Sequence, residues 1–308
     1  MRRTTKSLLI LCALIFFIPT IQAQLLWKIE ATNNTKEAYL FGTHHLMPIK
    51  FLENVKGLDE ALAQAEQIIA EVDIKETRDI ANMTHLMRSM LLKEGTSLKS
   101  LLSTDTYDKI IELISAANNL QYPLDILDKM KPSVISTFII TSFYTQHFLK
   151  GNNNTENGMD FYFQSQAEEQ GKITTGLESV KQQAQLLYHG KSIEEEAKDL
   201  ETFMNCIDDP NKLIESFTLL NELYSNQDLD GLYKLGQSND TGCPGTEMDE
   251  ETWKLIVDDR NEDWVTQLPE LLKDKISFIA VGSLHLPGDK GVINLLKKKG
   301  YKLVPISK

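Results

Sequence analysis

Two apolar segments near opposite ends of this chain end in the same way. "LFGTHHLMP" runs from Leu40 to Pro48, and "IAVGSLHLPG" from Ile279 to Gly288. Each reads as an apolar strand, then Gly-x-x-His, then Leu and a nearby Pro. Their glycines, Gly42 and Gly282, lie 240 residues apart in a chain of 308. Glycine after a strand permits a sharp exit or a close backbone approach. If the two strands lie side by side, His45 and His285 meet at the carboxyl edge of a sheet, where open α/β sheets bind ligands.

The pattern between these segments supports that arrangement. "LLWKIEA" and "EAYLFGTHH" read as two strands joined by the turn "TNNTK". "ENVKGLDEALAQAEQ" has helical spacing, with Val55, Leu58, Leu62 and Ala65 on one face. "IIAEVD" reads as a buried strand with Glu71 and Asp73 near its end, two apart and therefore on one side. Residues from about 76 to 150 read as helices, including an almost wholly apolar "PSVISTFIITSFYTQHFL" predicted to be a core helix. "KITTGLE" is a further strand, more helices follow, and the end reads strand–helix–strand. The expected architecture is an α/β fold, with a central mixed sheet built from both chain ends and a large helical insertion. Residues 24–308 form one domain, with the insertion at about 76–150.

Residues 1–23 have the form of a cleavable secretory signal: basic "MRRTTK", apolar "SLLILCALIFFI", and Ala23 before Gln24. The expectation is export, to a periplasm or out of the cell. Losing Arg2, Arg3 and Lys6 takes the formal net charge from −12 to −15. Such acidity argues against nucleic acid as a partner, and no later run is apolar and long enough for stable membrane insertion after cleavage. Cys12 leaves with the signal. Cys206 and Cys243 remain as a disulfide candidate in an oxidising compartment, with two free thiols as the alternative.

Imidazole is both a common metal ligand and the side chain best suited to proton transfer near neutral pH. His45 and His285, with Glu71 and Asp73 ending a strand at the same edge, have the composition of a divalent metal site. Such a site would lower the pKa of a bound water. Hydrogen-bonded scaffolding is the competing reading of each motif taken singly. His44 would face away from His45 on an extended chain. His85, His147 and His189 fall within or at the end of helices and read as packing or surface residues.

Taken together, "LFGTHH", "AEVD", "GMDFYF…GKITTGLESVKQQ", "DDRNEDWV" and "FIAVGSLHLPGDKGVINLLKKKGYKLVPI" resemble the TraB/GumN family, which includes the Tiki metalloproteases. The resemblance extends over nearly all the mature chain. The family is distantly similar to erythromycin-esterase-like and haem-binding ChaN-like proteins. The resemblance implies that His45 and His285 close the two hallmark motifs and hold a divalent ion: manganese, cobalt or zinc. It implies Glu71 as general base or ligand, and Arg260 as oxyanion or substrate-carboxylate partner. His44, Asp73, Asp160, Glu178, Gln183 and Asn261 follow as substrate-binding or orienting groups. The expected function is a metal-dependent hydrolase, a peptidase in the first instance, acting on a peptide or small molecule. The alternative is a non-catalytic periplasmic protein that binds a peptide, a signal molecule or haem.

Overall fold

The computed structural model describes residues 24–116, 123–149, 158–238 and 242–307. The signal segment, residues 1–23, lies outside the described residues. Six strands form one sheet: β1 (Leu26–Ile29), β2 (Ala38–Thr43), β3 (Gln67–Val72), β4 (Ile173–Glu178), β5 (Ser277–Gly282) and β6 (Leu303–Pro305). Their order is β4-β3-β5-β2-β1-β6. β4, β3, β5 and β2 run parallel, while β1 is antiparallel to both β2 and β6. The sheet is thus mixed and draws on both chain ends, as expected.

The central position of β5 follows from its composition. "SFIAV" has no charge and is buried throughout, as a strand flanked on both sides and covered on both faces requires. The core around it includes Phe41, Phe163, Phe278, Ile279, Trp264 and Leu268, so helices from both inter-strand segments seal the sheet. At the carboxyl end Gly300, at φ +91°, stops the helix Val292–Lys298 and lets the chain return as β6.

The helical part departs from expectation in two places. The early helix spans only Leu58–Gln64, because Gly57 at φ +79° breaks the run; Val55 and Ala65 are buried outside it. The helix Pro132–Phe148 buries Val134, Ile135, Ile139 and Tyr144, but Phe138, Ile140 and Phe143 are only partly buried. The helices after β4 pack on those of residues 76–150. A second apolar cluster joins Leu98, Ile110 and Ile135 to Leu200, Phe203 and Leu213, which follow β4 in the chain. Among the described residues, no helix is long and apolar enough to cross a membrane.

Cys206 and Cys243 are bridged, with S–S 2.08 Å and Cα–Cα 5.5 Å. The bridge ties the end of helix Ile193–Cys206 to the loop carrying Cys243, inside the second cluster. For a separation of 37 residues, loop-closure entropy gives a contribution of about 4 kcal/mol. The double variant Cys206→Ala/Cys243→Ala should therefore unfold at distinctly lower urea, and reductant should reproduce the effect in the wild type. An unchanged urea midpoint in both would contradict this assignment.

Candidate active site

The parallel register sets the site. β2 and β5 pair Gly42 with Val281 and Thr43 with Gly282, so both motifs leave the sheet at the same level. β3 pairs Ala70 with Ala280 on the other side of β5, which puts Glu71 at that level too. The approach is close. A Cβ on Gly42 would stand 3.0 Å from the Ser283 backbone, and one on Gly282 would stand 3.3 Å from Glu71 Oε1. The Gly282 N–H donates to Glu71 Oε1 at 2.8 Å.

Arg260 is the hub of the buried half. It sits on helix Asp259–Leu271, directly after a π turn at Lys254–Asp258. Nη2 donates to Glu71 Oε2 at 2.5 Å and to Glu178 Oε1 at 2.7 Å; Nε donates to Glu178 Oε2 at 3.0 Å. Nη1 reaches the Ile256 carbonyl at 3.0 Å and His285 Nε2 at 3.2 Å. Gln183 donates to Glu178 Oε1 at 3.2 Å. One turn on, the Trp264 ring lies 4.6 Å from the guanidinium carbon and 4.6 Å from the His285 ring. Asn261 donates to the Lys290 carbonyl through Nδ2, so its Oδ1 accepts from His285 Nδ1 at 2.8 Å. The proton of His285 is thereby fixed on Nδ1, and Nε2 presents its lone pair to Arg260.

Charge states follow from these partners. Burial would raise the Glu71 carboxyl, but His285, Arg260, His45 and the Gly282 N–H outweigh it and hold the group at about 2. Burial raises Glu178 above the usual carboxylate range despite its bonds to Arg260. Burial lowers His285 to about 4, with the pull of Glu71 opposed by Arg260 and His45.

His45 forms the exposed half, with 72% of its side chain accessible. Its Nδ1 donates to Asp160 Oδ2 at 3.0 Å, and Thr43 donates to Asp160 Oδ1 at 2.9 Å. The bond to Asp160 raises the imidazole to about 9 against the effect of desolvation. Asp160 lies in the first turn of helix Gly158–Glu169, and Gln164 anchors that helix to the end of β3 through Ile74 N and the Val72 carbonyl.

Six of the residues singled out in the sequence thus share one network: Glu71, Glu178, Gln183, Arg260, Asn261 and His285. His45 and Asp160 form an adjoining pair, coupled to the network by charge. Two residues are placed elsewhere. Asp73 lies beyond β3 and accepts from Thr174 Oγ1 and Lys75 N. His44 turns back on its own loop: Nδ1 accepts from Leu46 N and Met47 N, and the ring packs on Tyr224. Its role is to close the turn that presents His45. Sequence reading missed Tyr224, whose hydroxyl donates to the Gly42 carbonyl at 2.8 Å, and Gln164; neither carries a local motif. Thr43 lies inside the first motif and was not singled out there either.

Both motif histidines show one donor pattern. Each commits Nδ1 to a side-chain oxygen, Asp160 for His45 and Asn261 for His285. This is how metal-binding imidazoles are oriented to offer Nε2. His285 Nε2 and the Glu71 carboxylate, joined by His45 Nε2 once an ion displaces the proton that Asp160 favours there, are therefore a chemically suitable set for a divalent ion. Among the described residues, no three His, Cys, Asp or Glu side chains stand grouped as metal ligands, and Arg260 engages both Glu71 and His285.

The sequence model of the TraB/PrgY/gumN family matches residues 25–305. No curated protein and no solved structure matches the chain.

The imidazoles make stability pH-dependent. His285 and His44 both titrate at about 4 in the folded chain instead of 6.5, chiefly through burial. The unfolded chain takes up these protons first, so stability is full above pH 6.5 and falls as the pH drops toward 4. His45 has the opposite sign: its contribution is full below pH 6.5 and is lost as the pH rises through about 9. Urea unfolding in chelator should therefore be least favourable near pH 6.5. His285→Gln should remove on the order of 3 kcal/mol from the acid-side decline. An identical decline in that variant would mean that His285 is not held neutral.

Proposed function

The chain belongs to the TraB/PrgY/gumN family, and we propose that it is an exported metal-dependent hydrolase whose substrates are peptides. The observation that carries this reading is the shared donor pattern of His45 and His285 just past the ends of neighbouring parallel strands, with Glu71 beside His285. Those three residues would hold the ion, of which manganese, cobalt and zinc suit two imidazoles and a carboxylate. When bound, such an ion supplies an acidified water and polarises a carbonyl.

The side chains divide the remaining work. Glu71, held as a carboxylate at about 2, is a weak base and suits the ligand role better than general base. Asn261 keeps the His285 ring in its Nδ1–H tautomer, and Asp160 would hold His45 by Nδ1–H while an ion replaces the proton on Nε2. Arg260 is the permanent cation nearest these donors and suits a developing oxyanion or a peptide carboxylate. Export is supported by the form of residues 1–23 and by the Cys206–Cys243 bridge, which persists in oxidising compartments.

The closed Arg260 network favours a second reading. Its carboxylates are already neutralised in part, as in a binding protein for a peptide, a signal molecule or haem. Metal content and chelator sensitivity separate the two. Purified protein loaded with mixed divalent ions and dialysed should retain about one ion per chain. His45→Ala/His285→Ala should retain none, and peptide hydrolysis should stop with chelator and return with metal. Equal, near-zero metal in both proteins would sink the hydrolase reading and leave the binding one.

A further inference from the structure

We propose that Arg260 is a built-in competitor of the divalent ion, and that Glu178 is where it stays when the ion binds. The inference rests on the metal reading of His45, His285 and Glu71. All five guanidinium N–H groups are used: Nε on Glu178, Nη1 on Ile256 and His285, Nη2 on Glu71 and Glu178. Two of these contacts consume what a metal needs, the lone pair of His285 Nε2 and the carboxylate of Glu71. A lone pair that accepts an N–H cannot at the same time ligate an ion. Two cations also repel at such range in a site this buried.

The other contacts provide the alternative position. Glu178 accepts two N–H groups in the forked geometry natural to Arg and carboxylate. Gln183 steadies that carboxylate, and Val72, beside Glu71 on β3, pairs with Glu178 in the sheet. Arg260 can therefore release Glu71 and His285 while keeping its pair with Glu178. Trp264, whose ring lies 4.6 Å from both the guanidinium carbon and the His285 ring, supports either arrangement. The competition has a consequence for the metal-free chain. Glu71, 12% exposed, is never left without a counter-charge, which in so buried a place would destabilise the fold.

The sign of one affinity change tests this. Free Mn2+ would be followed by electron paramagnetic resonance during titration of the full chain and three variants: Arg260→Gln, Arg260→Gln/Glu178→Gln and Glu178→Gln. The double variant removes one charge of each sign, so it carries the test if Arg260→Gln alone fails to fold. Circular dichroism melts would establish the folded state of each. Both variants lacking Arg260 should bind Mn2+ about tenfold tighter or more, because a buried carboxylate has lost its competing cation. Glu178→Gln alone should bind more weakly, because Arg260 then has only Glu71 to pair with. Unchanged or weaker binding in a folded variant lacking Arg260 overturns the competition, and so does unchanged or tighter binding in Glu178→Gln. Wild-type binding that depends on the two histidines would still leave the metal reading standing in those cases. No Mn2+ on any of the four proteins overturns the metal reading and the competition together.

Discussion

Residues 38–43 and 277–282 exchange backbone hydrogen bonds in parallel register, although most of the chain lies between them. Everything at the candidate site depends on that pairing. It sets Gly42 against Val281 and Thr43 against Gly282, so that two short motifs too weak to read singly present their imidazoles from one sheet edge. A slip of one residue would turn every side chain of β2 to the opposite face. Both strands are buried on both faces, so apolar patterning alone does not fix the register; Gly42 does, because only a residue without Cβ permits the approach to Ser283 that this register demands.

Electrostatics then distinguish two sites that the sequence shows as equivalent. His285 is buried, oriented by a neutral amide and held uncharged; His45 is exposed, oriented by a carboxylate and held protonated. The difference comes from the third element brought to each. Helix Asp259–Leu271 contributes Arg260, Asn261 and Trp264 to His285, and helix Gly158–Glu169 contributes Asp160 to His45. The long helical segments between the strands thus do more than cover the sheet. They supply the polar partners that set the charge of each imidazole.

Much of this was legible in the sequence for identifiable reasons. Strand ends marked by Gly-x-x-His gave the pairing of β2 with β5, and the acidic end of "IIAEVD" gave Glu71, while Glu178 was legible as a site residue through the family resemblance. The arginine and asparagine before Trp264 were legible through the family resemblance rather than through helical periodicity. Asp73 was misplaced because its spacing from Glu71 assumed that β3 continues past Val72. The strand stops there, and the side chain turns to Thr174. His44, which extended geometry turned away from His45 and the resemblance made a substrate-binding or orienting group, instead closes its own loop, which folds back onto Nδ1. Tyr224 was out of reach in sequence, since its bond to the Gly42 carbonyl links residues 182 apart without a motif at either end.

The central claim is that two imidazoles distant in sequence act as one donor set, each through Nε2. Nitrogen-15 NMR of histidine-labelled protein during Zn2+ titration tests it most directly. The account predicts that the Nε2 signals of His45 and His285 shift together and saturate together, while both Nδ1 signals keep their protonated positions. A shift of one histidine alone, or of Nδ1 in place of Nε2, would contradict it.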